Sequence, residues 1–303
     1  PMAVRPPHFA PKVKRVVYLH MSGGPPHLDL FDYKPELVKR DGQPAPDDFI
    51  KGRRFAFTTG TPTLMGTPRS FAQHGPGGIW MSDAVPNFHG IADEMCVVKS
   101  MHTDQFNHAP AQLMVHTGSQ LQGRPSMGAW INYGLGSENE NLPGYVVLAS
   151  GGSPLGGIGI YGSGFLPAVH QASLIDPSQP EPLTNINARE PATRQRKRLR
   201  FVEQVDRRQL AQFGHNEQVE SAIQNYETAF RMQTAVPSLV DLADETESTR
   251  RLYGMDSPVK ETAAYGQQCL LARRLVERGV RFVELTCLPR PAELGQIGNP
   301  WDQ

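Results

Sequence analysis

The stretch Ser100-Met-His-Thr-Asp-Gln-Phe-Asn-His108 sets two imidazoles and a carboxylate, His102, Asp104 and His108, within one short segment. Such groups ligate divalent cations and exchange protons near neutral pH. A β-branched run, Cys96-Val-Val-Lys-Ser100, precedes them and reads as a strand. A helix is predicted to open near His108, because Pro110 fits a first turn and Ala111-Gln-Leu-Met-Val are mostly good helix formers. Gly118 suits its C-terminal cap. The unpaired N–H groups and partial positive charge of a helix start would stabilise an anion or a metal-bound oxyanion beside His108. His108 has a plainer reading as the N-cap, although Ser, Asp or Asn serves better there.

Ligands of open α/β sheets bind outside the carboxyl ends of the strands. Three loops that leave predicted strands carry polar residues: Ser22-Gly-Gly-Pro-Pro-His-Leu-Asp-Leu-Phe-Asp32, the His102 to His108 junction, and the tail ending in Trp301-Asp302. Together they are expected to bring His27, Asp29, Asp32, His102, Asp104, His108 and Asp302 to one rim, where a divalent ion (Zn, Mn, Mg or Ca) would bind. Ser22, Gly23 and Gly24 are the candidate anion contact, with a tight turn as the simpler reading of the glycine pair. Asp32 also reads as a turn initiator. His102 and Asp104 also read as loop residues bonded to backbone. His116 reads as packed or solvated, and His8, His74, His89, His170 and His215 sit in no pattern. A nucleophile-elbow motif is broken at Gly151-Gly-Ser-Pro-Leu155, where Leu155 replaces the second Gly. Pro25-Pro26 removes the amides that a dinucleotide loop needs after the first strand.

The elements that must hold these groups alternate. Val13 to Met21 is predicted as a strand, Cys96 to Ser100 as a second and Leu142 to Ala149 as a third. A helix is expected through Trp130-Ile-Asn-Tyr133. A final helix is read over Thr262 to Gly279, followed by a strand over Val280 to Cys287. This is an α/β pattern: a mostly parallel sheet with helices on both faces. Residues 1–12 read as a linker, and residues 13–303 as one domain with an excursion between Asp29 and Asp93. A charged helical insertion is expected at about 189–253. Its bases, Arg194, Arg196, Lys197, Arg198 and Arg200 among them, are interleaved with Glu203 and Asp206, which suits a solvated helix face better than a nucleic-acid surface.

Thirty basic against thirty acidic residues leave no net charge, which argues against a nucleic-acid or anionic-membrane binder and favours a small-molecule partner. No apolar run approaches a membrane span. Cys96, Cys269 and Cys287 have no metal-ligand spacing and read as core residues. The chain stops in a loop beyond a strand, so it reads as the front portion of a longer protein.

Several segments in combination resemble one family. They are Met21-Ser-Gly-Gly-Pro-Pro-His-Leu-Asp-Leu-Phe-Asp-Tyr-Lys-Pro35, Ser100-Met-His-Thr-Asp104, Asn107-His-Ala-Pro-Ala-Gln112, His116-Thr-Gly118, Gly123-Arg-Pro-Ser-Met-Gly-Ala-Trp130, Phe230-Arg-Met-Gln-Thr234, Leu271-Ala-Arg-Arg-Leu-Val-Glu-Arg-Gly279 and Trp301-Asp-Gln303. The chain is similar to domain of unknown function 1501, an uncharacterised family of exported bacterial proteins abundant in planctomycetes and placed in the alkaline phosphatase and sulfatase superfamily. That resemblance implies an alkaline phosphatase-like fold that is incomplete at its C-terminus, and a twin-arginine export signal upstream. It also implies a periplasmic or extracellular location and a metal-dependent hydrolysis of phosphate or sulfate esters. The substrate would be a small-molecule or carbohydrate ester, such as a sulfated or phosphorylated polysaccharide. Asp302 would be a metal ligand in a Trp-Asp-x-His element. His108 stands where a sulfatase nucleophile would be, and Gln112 where its Arg would be. A metal-activated water near His108, with Asp29 and Asp302 at the ion, is the mechanism this implies, with a phosphohistidine at His108 as the other route. With its downstream segment missing, the 303-residue chain alone is expected to be inactive. The reading of another class is a non-catalytic binding protein that kept the scaffold after losing the nucleophile.

Overall fold

A computed structural model describes residues 8–10, 12–53, 59–150, 153–179, 181–183, 186–188, 190–214 and 216–287. In chain order the elements are β1 (Val16–Met21), α1 (Pro35–Lys39), α2 (Asp47–Ile50), β2 (Phe71–His74), β3 (Ile79–Ser82), α3 (His108–Thr117) and α4 (Met127–Leu135). They continue with β4 (Tyr145–Ser150), β5 (Ser173–Ile175), α5 (Ala192–Phe213), α6 (Glu217–Val240), α7 (Glu247–Leu252), α8 (Lys260–Glu277) and β6 (Phe282–Cys287), with short 3-10 turns between. The described residues up to Ser22 and from Asn107 onward form one compact unit, and Gly23–Phe106 form another.

The first unit is built on a four-stranded sheet in the order β1-β6-β4-β5, with all pairings parallel. Its two central strands are mostly apolar because both faces are covered: Tyr145, Val146, Val147 and Leu148 of β4 are buried, as are Phe282, Val283 and Leu285 of β6, with Glu284 and Thr286 as buried polar exceptions. On one face Val146, Leu148, Val283 and Leu285 pack against Met232, Val236 and Leu239 of α6 and Leu270, Leu271 and Leu275 of α8. On the other, Tyr145, Val147 and Phe282 pack with Leu113 of α3 and with Ile160 and Tyr161 of the 3-10 turn Ile158–Tyr161. The expected α/β architecture is therefore present, with helices on both faces of a parallel sheet.

Helix α8 delivers the chain into β6. Gly279 at φ 89° ends it, and the Val280 amide bonds back to the Leu275 carbonyl at 3.1 Å, closing the last turn. The charged segment folds as the long pair α5 and α6, followed by α7. Asn216 caps α6 by accepting from the Gln218 and Val219 amides.

The second unit lies in the Pro- and Gly-rich excursion. Its β2–β3 hairpin is antiparallel, and the rings of Phe71 and Trp80 each stand 5.0 Å from Tyr33. Two sequence expectations change. Residues 95–98 have no regular structure and Lys99-Ser100 form a turn, so Cys96–Ser100 is not a strand. The run is too short to bury a face, and its Val98 is exposed. Cys96 is likewise exposed rather than in a core; Cys269 is half-buried against the α8 cluster, while the side chain of Cys287 lies outside the described residues. Among the described residues, no helix is long and apolar enough to cross a membrane.

Candidate functional site

Strand alternation puts Val16, Tyr18 and His20 of β1 on the same side of the sheet as Phe282, Glu284 and Thr286 of β6, because Tyr18 pairs with Glu284 and His20 with Thr286 in register. Helix α3 lies on that side. It begins as expected at His108, but Asn107 is its cap: the Asn107 Oδ1 accepts from the Ala109 amide at 3.2 Å, and His108 is the first helical residue. Gly118, at φ 70°, ends it. Gln112 and His116 stand one turn apart and are both buried.

These side chains close a polar centre inside an apolar layer. His116 is 1 % exposed; its Nδ1–H donates to the Gln112 carbonyl at 2.8 Å, and its Nε2 lies 2.7 Å from Glu284 Oε1. Glu284, also 1 % exposed, accepts from the Tyr145 hydroxyl at 2.9 Å on Oε2 and from Thr286 Oγ1 at 3.4 Å on Oε1. The Tyr161 hydroxyl lies 3.0 Å from Thr286 Oγ1. The His20 ring stands 4.5 Å from that of His116 at 86°. His20 is 8 % exposed, and its buried Nδ1 has no hydrogen-bond partner among the described residues.

Burial dominates the electrostatics. It pushes the His20 pKa down from 6.5 to about 4, with the His116 charge adding to the effect, so His20 is a neutral imidazole at physiological pH. Burial, and then the Glu284 carboxylate, push Tyr18 up to about 12. Tyr145 and Tyr161 are raised further, first by burial, so all three phenols keep their protons. One ligand atom from each of His20, His116 and Glu284 falls within 4.8 Å of the others, the spacing of groups that can share a cation. The set can also hold and pass a proton.

Gln112 ties the loops around this centre. Its Nε2 donates to Ser22 Oγ at 2.6 Å, just beyond β1, and its Oε1 accepts from the Gly156 amide at 2.8 Å, beyond β4. A Cβ on Gly156 would press on Ile160, the Ala109 carbonyl and Gln112, so only glycine allows this approach. Gln112 is thus placed to position backbone and His116.

The other sequence candidates fall in different units of the chain or outside the described residues. Gly23 and Gly24, at φ 84° and 72°, make the tight turn that opens the second unit. In that unit Asp29 sits in the 3-10 turn His27–Asp29 and Asp32 pairs with Lys34 Nζ at 2.9 Å. His102 is exposed, with Nδ1 3.4 Å from the Ser100 carbonyl, and Asp104 is exposed as well. His108 belongs to the first unit and is half-buried. Asp302 lies outside the described residues. Sequence reasoning passed over His20 and Glu284 and read His116 as packed or solvated. The available signal was alternation: His20 and Glu284 each occupy a position whose strand neighbours two residues away are aromatic, Tyr18 and Phe282.

A family model described as "Protein of unknown function (DUF1501)" matches residues 13–303. No curated protein and no solved structure matches the chain.

Proposed function

The chain belongs to this family of unknown function, DUF1501, and we propose from its buried polar centre that it is an exported, metal-dependent hydrolase of phosphate or sulfate esters. The observation that carries the reading is the convergence of His20, His116 and Glu284 within 4.8 Å, with His20 and Thr286 paired near the carboxyl ends of β1 and β6. That is the side of an open parallel sheet on which ligands bind.

A divalent ion, when bound, supplies Lewis-acid activation of water and of the ester oxygen. The donor set fits one: it offers two imidazoles and a carboxylate, and it leaves the His20 Nδ1 without a partner. Tyr145 and Thr286 fix the carboxylate of Glu284, and the Gln112 carbonyl fixes the ring of His116. His20, neutral above about pH 4, keeps a lone pair for a proton or a cation. His108, in the first turn of α3, is the group we assign to the ester, where the helix start favours an anion. The substrates in this reading are small-molecule or carbohydrate esters outside the cytoplasm, sulfated or phosphorylated polysaccharides among them.

The test is turnover of an aryl phosphate and an aryl sulfate by the full-length gene product, with Zn, Mn, Mg or Ca added in turn. Hydrolysis of one ester, abolished by a chelator and cut at least about 100-fold in His108→Ala, is expected. If neither ester turns over with any of the four ions, the protein is a binding module on this scaffold.

A further inference from the structure

We propose that His20, His116 and Glu284 form a three-ligand site for one borderline transition-metal ion of the Zn(II) class, and that this site discriminates against Ca(II) and Mg(II). The inference deepens the hydrolytic reading and rests on it for the ion's use, although not for its binding.

Donor chemistry selects the metal. Two imidazoles and one carboxylate suit Zn(II), Fe(II) or Co(II), whereas Ca(II) takes 6–8 oxygens and Mg(II) keeps an octahedral, largely hydrated shell. The hydroxyls around Glu284 belong to Tyr145 and Thr286 and both donate to it, so they do not enlarge the oxygen set.

The outer shell is already arranged for ligation. A metal-bound histidine usually donates its other N–H to a carbonyl or carboxylate, which fixes the tautomer and aims the ligating lone pair. His116 does this: Nδ1–H is held by the Gln112 carbonyl, and Nε2 faces the carboxylate. Glu284 is oriented in the same way by Tyr145 on its other oxygen. The buried, unpartnered Nδ1 of His20 is a second, independent sign, since an unsatisfied polar atom in an interior has a cost that a ligand removes.

The geometry is close to a coordination shell. Ligand atoms around a four-coordinate ion with bonds of about 2.1 Å stand about 3.4 Å apart. Here the His116–Glu284 pair, at 2.7 Å, must open slightly, and the widest separation allowed by the cluster, 4.8 Å, must contract. The changes are about 0.7 Å and at most about 1.4 Å, within reach of side-chain torsions. One carboxylate against a divalent ion leaves the centre positive, which suits an anionic ester.

The experiment is calorimetric titration of the chelator-stripped full-length protein with Zn(II), followed by Co(II) substitution read by visible absorption. One ion per chain, the strong d–d bands of a four- or five-coordinate nitrogen-containing site, and no displacement by millimolar Ca(II) are expected. His20→Ala and Glu284→Gln should each weaken Zn(II) at least about 100-fold, since even an outer-shell change often costs 10–100-fold. His20→Ala serves as the second variant in case Glu284→Gln misfolds, with circular dichroism reporting the fold. The variant His74→Gln, at a half-buried imidazole that stacks on His89 in the second unit, should bind as wild type. Unchanged affinity in folded His20→Ala, loss in His74→Gln, a weak octahedral Co(II) spectrum, or displacement by Ca(II) would each overturn the site. Zn(II) held at these side chains without ester turnover would sink the hydrolytic reading alone. Turnover driven by Ca(II) in the absence of Zn(II) binding would sink this one alone.

Discussion

Glu284 is a carboxylate held inside a sheet by His116, Tyr145 and Thr286, and its neighbours decide what the centre can do. Tyr145→Phe removes one donor and leaves Glu284 Oε2 buried and unpaired. The expected loss is about 1–3 kcal/mol of stability, measured by denaturant titration. His20 carries a pH signature in the metal-free protein. Its pKa falls from 6.5 to about 4 on folding, so the unfolded chain takes up the proton more readily. This stabilisation is complete above about pH 6.5 and disappears as pH drops toward 4. Up to about 3 kcal/mol should be lost across that window. Unfolding titrations at stepped pH on wild type and His20→Gln would show the difference; equal slopes would contradict it. These residues were hidden in the sequence for a physical reason. Val16 and Phe282 become register partners only through a parallel pairing between opposite ends of the chain, and nothing local encodes it. Gln112 was singled out through the resemblance, as standing at a sulfatase Arg position; its side chain holds Ser22 and Gly156.

At the scale of elements, α3 was legible in full because Pro110 and Gly118 punctuate it, and α8 because its apolar period is helical and Gly279 closes it. Asn107 as the cap, rather than His108, follows from the same chemistry applied one residue earlier. Asn107→Ala should cost about 0.5–2 kcal/mol and fray the helix carrying Gln112 and His116. Gly266, in α8, shows which of two effects wins. Alanine would add about 1 kcal/mol of helix propensity, but its Cβ would collide with the Tyr253 carbonyl, where overpacking costs about 1–3 kcal/mol. Gly266→Ala should therefore lower the melting temperature; a rise would contradict the close approach. The segment Cys96–Ser100 misled because β propensity alone forms no strand when its apolar side chains have nothing to cover.

For the whole molecule, the sheet's centre should be its most stable part. β4 and β6 bury both faces, whereas the other face of edge strand β1 leaves Val17 and Leu19 44 % and 48 % exposed. Amide exchange should be slowest in β4 and β6 and faster in β1, and a β1 that outlasts them would refute this ranking. By itself the sequence determined the α/β class, helices α3 and α8, and three of the four predicted strands, since periodicity, glycine and proline act over a few residues. Tertiary structure alone decided that β6 inserts between β1 and β4, and thereby that His20, His116 and Glu284 meet. Pairing partners in a parallel sheet are chosen by burial summed over the whole fold, and no short window of residues carries that sum.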